Sequence, residues 1–220
     1  MFSESELRLT GLMTSPSPEI AKVKLGQYLQ EADELRAQNK FQNALIVVLV
    51  AGEFFWRKHQ PTRAAGLLLE ASDLFFMLQK LEASQGSLNT ALELIATQTP
   101  LHWWEKELFG SIFLFTASLA LIEDSSSISS RLSELRQTLS AKQQSQIRRE
   151  DGYRVALALR KAVKQQALSP IDDLDTKTTL RSHSDYITLY EYLMGQAKRY
   201  TIIDKGLATL QHHIQQEAPQ

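Results

Sequence analysis

Basic side chains carry the densest chemical signal in this chain. Between residues 142 and 164 stand Lys142, Arg148, Arg149, Arg154, Arg160, Lys161 and Lys164, against only Glu150 and Asp151. If Arg149 to Leu168 is one helix, a step of about 100° per residue puts Val155, Leu159, Ala162 and Val163 on one arc. Arg149, Arg154, Arg160, Lys161 and Lys164 then fall on the opposite arc, with Tyr153 and Leu157 among them. A cationic face with an interleaved aromatic suits an acidic partner, lipid head groups or RNA phosphate. A face turned to water is also commonly charged for no further reason, so the pattern alone does not choose.

Large apolar residues form the second signal. Trp103 and Trp104 are adjacent, so on a helix they point about 100° apart and cannot share a stripe. Trp104 is expected on a buried stripe with Leu108, Ile112, Phe115 and Leu119, which leaves Trp103 as an exposed anchor. Tryptophan buries much area for little lost entropy and is favoured at binding hot spots. Phe76 and Met77 lie on the segment with the least polar face, where they serve either the core or an apolar floor for a partner helix.

Catalytic patterns are sparse. Asp172, Asp173 and Asp175 lack the glycine turn and terminal glutamate of a calcium loop. His212 and His213 are neighbours that diverge on a helix, and His102 and His183 have no paired motif around them. There is no phosphate-binding glycine loop and no nucleophile elbow. The absence of cysteine removes disulfides, thiolate zinc sites and cysteine nucleophiles together. The expectation is a protein with no catalytic residues, no metal and no cofactor.

Composition agrees with a folded binding protein. The 220 residues are 43% hydrophobic and 22% charged, with a net charge of −1, so any field for nucleic acid or membrane is local. MFSESELRLTGLM does not read as a secretory signal. The most apolar stretches, Ala44 to Trp56 and Leu108 to Ile122, fall short of the roughly 20 residues that span a bilayer and read as buried helices. Lack of cysteine fits the cytoplasm, which is the expected location.

The elements that would position these residues follow from an internal repeat. At an offset of 40, Tyr28 pairs with Leu68, Ala32 with Ser72, Leu35 with Phe75, Phe41 with Leu81, Ala44 with Ser84, Val48 with Leu88 and Ala51 with Ala91. Repeated helical hairpins explain this pattern, since one such unit cannot bury its apolar face alone. The fold class expected is all-α, a right-handed α-solenoid of antiparallel hairpins with eight or nine helices. Residues 1–18 are expected as an arm containing a short helix over 3–13, and 19–217 as a single helical-repeat domain. Within it lie regular hairpins over 19–97, degenerate repeats over 100–168 and a helical cap over 184–217. Helices are expected at 18–38, 41–59, 62–79, 81–97 and 100–122. EDSSS at 123–127 reads as a break, and Ile128, Leu132, Leu135 and Leu139 predict one helix from Ser127 to about Ser145. Residues 169–184 read as a loop, followed by helices at 185–199 and 202–216.

NKFQNAL at 39–45, followed by Val48 and Ala51, resembles the turn and second helix of a tetratricopeptide hairpin. Ala32 and Ser72 would fill the small position of the first helix, and Ala44 and Ser84 that of the second. The likeness covers about 70 residues closely, and its period is longer than the roughly 34 usual for that family. Long-period arrays of this type are similar to soluble NSF attachment proteins, with HEAT-type hairpins as the rival. Some tetratricopeptide domains clamp a terminal carboxylate with lysine and asparagine. Leu29, Asp33 and Arg36, then Leu69, Asp73 and Phe76, do not match that clamp and imply a mixed, partly apolar inner surface. The function expected is a non-enzymatic adaptor or scaffold that binds a protein, as a helix or extended peptide, through a helix-lined surface. Nucleic-acid or anionic-membrane binding through 149–168 is the alternative.

Overall fold

The computed structural model describes residues 30–97, 101–176 and 189–217. The expected arm over 1–18, the start of the first helix and His183 lie outside them. Every regular element among the described residues is helical. The chain divides into two compact units between Ile95 and Ala96.

The first unit contains α1 (30–37), α2 (Phe41–Arg57), α3 (Pro61–Met77) and α4 (Leu81–Ala96). The starts of α2, α3 and α4 are 20 residues apart, so the 40-residue repeat is two equal steps. Each step ends in the same turn. Asn39, His59 and Gln79 adopt left-handed φ values of 59°, 55° and 59°. Lys40 N–H donates to the Leu35 carbonyl at 2.8 Å, Gln60 to Phe55 at 3.0 Å and Lys80 to Phe75 at 2.9 Å. This is the Schellman arrangement, which satisfies orphan carbonyls at a helix end and usually employs glycine at the left-handed position. The next helix begins two residues later, with proline at its first position in α3, where a missing N–H does no harm.

Small residues recur with the same cadence. Ala44, Ala64 and Ser84 are buried, as are Ala51, Ala71 and Ala91, letting neighbouring backbones approach. Ser84 Oγ lies 2.9 Å from both Ser72 Oγ and the Ser72 carbonyl, so the two serines satisfy each other inside the α3–α4 contact. The α1–α3 contact is ionic. Arg36 binds the fully buried Asp73 carboxylate, and its other nitrogen reaches Glu70 at 3.3 Å.

The second unit is built around α5 (Trp103–Asp124), whose residues from Phe109 to Leu121 are buried with the single exception of the half-buried Ser111. By length and composition α5 can cross a membrane, but most of its apolar surface is covered inside the unit by α6, α8 and α11. These are α6 (Ile128–Gln137), α7 (Ala141–Ile147), α8 (Asp151–Gln165), α9 (Ser169–Thr176), α10 (Leu189–Arg199) and α11 (Thr201–Glu217). Gly152 on α8 lies against Gly110, and Gly206 on α11 lies against Ser118, so the axes cross closely at two points along α5. Aromatic pairs lock both contacts edge to face, Phe113 with Tyr153 at 4.9 Å and Phe115 with Tyr200 at 4.8 Å.

Two boundaries differ from expectation. A short 3-10 turn (Ser125–Ser127) occupies the break expected at 123–127, and the predicted helix over 127–145 is divided into α6 and α7, although all four seam residues are buried. Asp124 accepts from Ser126 N–H at 3.0 Å and Ser140 from Gln143 N–H at 3.3 Å. Asp124 caps the turn at the expected break, and Ser140 starts a new helix where periodicity alone reads one. The predicted loop over 169–184 begins as α9, because Pro170 stands in its first turn, where proline is tolerated.

Candidate partner-binding surfaces

All three tryptophans of the chain are in solvent: Trp56 is 54% exposed, Trp103 68% and Trp104 44%. Trp56 sits on α2 two turns beyond Leu49, which is 36% exposed, so both lie on one face. Between them Glu53 pairs with Arg57 along the helix. Neither residue stands out by composition, but their seven-residue spacing shared an arc with Gln42 and Glu53, a signal available in the sequence. Phe76 and Met77 on α3 are half-buried, and Met77 packs against the core of the first unit.

In the second unit Trp103 and Trp104 project from the first turn of α5. The placement of Trp104 corrects the buried stripe expected for it. Ile112, Phe115 and Leu119 are enclosed, whereas at Trp104 the helix has not yet entered the packed layer. The first turn is held by Glu105, whose buried carboxylate accepts the His102 backbone N–H at 2.8 Å. The His102 ring stacks on Trp104 at 4.9 Å, and the indoles meet edge to face at 5.5 Å. The result is a three-ring platform on a fixed helix end.

The basic face of α8 is also corrected. Tyr153 is buried against Phe113, so the arc carries charge without its aromatic. Arg149, Lys161 and Lys164 are exposed, while Arg160 is half-buried. Arg154 is half-buried and sits 3.7 Å from Asp151. Val155, Leu159 and Ala162 are buried as expected, and Val163 is half-buried. On the α9 side, Arg154 and Lys161 border a hollow of about 220 Å³ floored by Leu157, Ala158, Pro170 and Leu174.

Among the described residues no three histidine, cysteine or acidic side chains gather to hold a metal. His212 shares a 2.8 Å hydrogen bond with the Gln216 side chain. One titrating group that departs from its ordinary value is Tyr192 on α10. Burial pushes its phenol up to about 12 from 10.0, with Glu107, Asp151 and Glu150 adding to the rise and a hydrogen bond with Ser111 opposing it. The folded state therefore holds this proton to higher pH than the unfolded chain. Its contribution is intact below pH 10 and is lost as pH rises towards 12. Alkaline unfolding of Tyr192→Phe, followed by circular dichroism, is expected to be shallower over that window; an unchanged profile contradicts this account.

Comparison with known proteins finds no matching family model, no matching curated protein and no matching solved structure.

Proposed function

We propose that this protein is a non-enzymatic adaptor of the tetratricopeptide-like kind, which holds a partner protein by exposed aromatic side chains on its helices. The observation that carries this reading is that every tryptophan in the chain is exposed, while phenylalanines fill both cores. Indole is the side chain with most to gain by burial, and two such rings beside a stacked histidine make a ready anchor. In this reading the 20-residue cadence of the first unit is the start of a right-handed α-solenoid, and the protein works in the cytoplasm. Binding draws on preorganisation: the rings sit on a helix turn fixed by Glu105, so little freedom is lost when a partner covers them. With Tyr153 in the core, charge on α8 steers rather than anchors.

Affinity capture with wild type beside Trp103→Ala and Trp104→Ala tests the proposal. Both positions are exposed, so thermal stability is expected to stay within about 0.5 kcal/mol of wild type. A hot spot of about 2 kcal/mol corresponds to roughly a 30-fold weaker affinity for the captured partner. Equal recovery of the same proteins by wild type and both variants overturns the reading.

A further inference from the structure

We propose that the hollow between α9, α10 and α11 binds a cation carried on an apolar body, an organic ammonium or guanidinium group with a hydrocarbon or aryl stem. The site is separate from the tryptophan surface and stands whether or not those rings bind a partner.

The hollow is built from two helical stripes. On α10, Tyr190, Leu193, Met194 and Ala197 recur at steps of three, one and three, which places them on one face. On α11, Asp204, Leu207, Ala208 and Gln211 repeat the same spacing. Leu168 and Ile171 close one end from the α9 side. Leu193 and Ile171 are buried and form a dry floor, while Tyr190 and Met194 stand at the edge, 40% and 36% exposed. Two large apolar side chains held open over an apolar floor are what a ligand stem would cover.

Charge decides which ligand. Among the described residues, the charged ones lining the hollow are Asp172 and Asp204, both acidic, and no lysine, arginine or histidine lines it. Neither carboxylate takes part in an ion pair among the described residues. An anion would meet two like charges there, whereas a cation would meet compensation from both. The Tyr190 ring adds a negative face suited to cation–π contact, and the Met194 thioether a polarisable one. On the other side of α9 the neighbouring hollow has the opposite sign, bordered by Arg154 and Lys161, so the two openings discriminate between ligands by charge. A volume of about 200 Å³ is below the roughly 300–1,000 Å³ of sites for drug-sized ligands, so the occupant is the size of one long side chain.

The test is calorimetric titration of the full chain with phenethylammonium chloride, with neutral phenethyl alcohol alongside, and with the capped peptide Leu-Arg-Leu as a second arm. Saturable binding of a cationic compound is expected, weakened about tenfold or more in the Asp172→Asn, Asp204→Asn double variant, in line with loss of charge-assisted contacts. Tyr190→Ala should weaken it as well, with the melting temperature of each variant reporting that the unit remains folded. Tighter binding of the peptide identifies a partner's basic side chain as the ligand, and tighter binding of the amine identifies a small organic cation. Equal binding of the neutral alcohol, an unchanged affinity in the double variant, or no saturable binding of either cationic compound overturns the proposal.

Discussion

Replacing Gly152 by alanine is expected to lower stability by about 3 kcal/mol or more, the upper range for overpacking a close contact. A Cβ at this position would stand 2.5 Å from both the carbonyl carbon and oxygen of Gly110 and 2.9 Å from Ser111 N. These are backbone atoms of α5, which cannot swing aside as a side chain does. The only relief is to move α8 away from α5, which also opens the Phe113–Tyr153 contact. Gly195→Ala supplies the control, since nothing lies within 4 Å of its added Cβ and alanine favours a helix by about 0.5–1 kcal/mol. Chemical denaturation of the three proteins decides the matter. A Gly152→Ala protein within about 0.5 kcal/mol of wild type would mean that α5 and α8 do not cross as described.

Arg36→Met is expected to destabilise the first unit by about 3 kcal/mol, because breaking a buried pair from one side leaves a carboxylate without the guanidinium that balanced it. Asp73 is fully buried and Arg36 about 20% exposed, so the group that loses its guanidinium is the one that water cannot reach. Combining the change with Asp73→Leu should recover much of the loss, since apolar replacement of both partners is often neutral. The quantity to measure is the coupling energy of the double-mutant cycle from denaturant melts. A coupling near zero would show that the pair does not hold α1 to α3.

Much of the first unit was legible in the chain. Pairs such as Ala44 with Ser84 and Ala51 with Ala91 record small residues at helix contacts, and each has a middle member, Ala64 and Ala71, that halves the period. The 20-residue step is hard to read from the sequence because its punctuation is not glycine. Asn39, His59 and Gln79 take the left-handed turn position, where only asparagine is a common signal. The second unit is less legible, as the capping hydrogen bond of Ser140 resets the helix phase within a continuous apolar pattern.

The candidate surfaces divide in the same way. Periodicity alone placed Trp103 outside the core and Val155, Leu159 and Ala162 inside it, because helical spacing fixes which residues share a face. It did not determine how far along a helix the neighbours extend. Trp104 lies on the same stripe as Ile112 and Phe115 yet stands in solvent, since packing around α5 becomes continuous only beyond the first turn. The angle of Tyr153 on the helix places it on the charged arc, yet it is in the core, because Gly152 beside it brings the α5 and α8 backbones together and draws the ring onto Phe113. The sequence by itself determined that this protein is helical, repetitive at its start and rich in faces able to bury apolar groups. Which faces remain uncovered, the indoles on α2 and α5 and the acid-rimmed hollow beside α10, was decided by tertiary contacts, since burial depends on what lies opposite a residue and not on its spacing along its own helix.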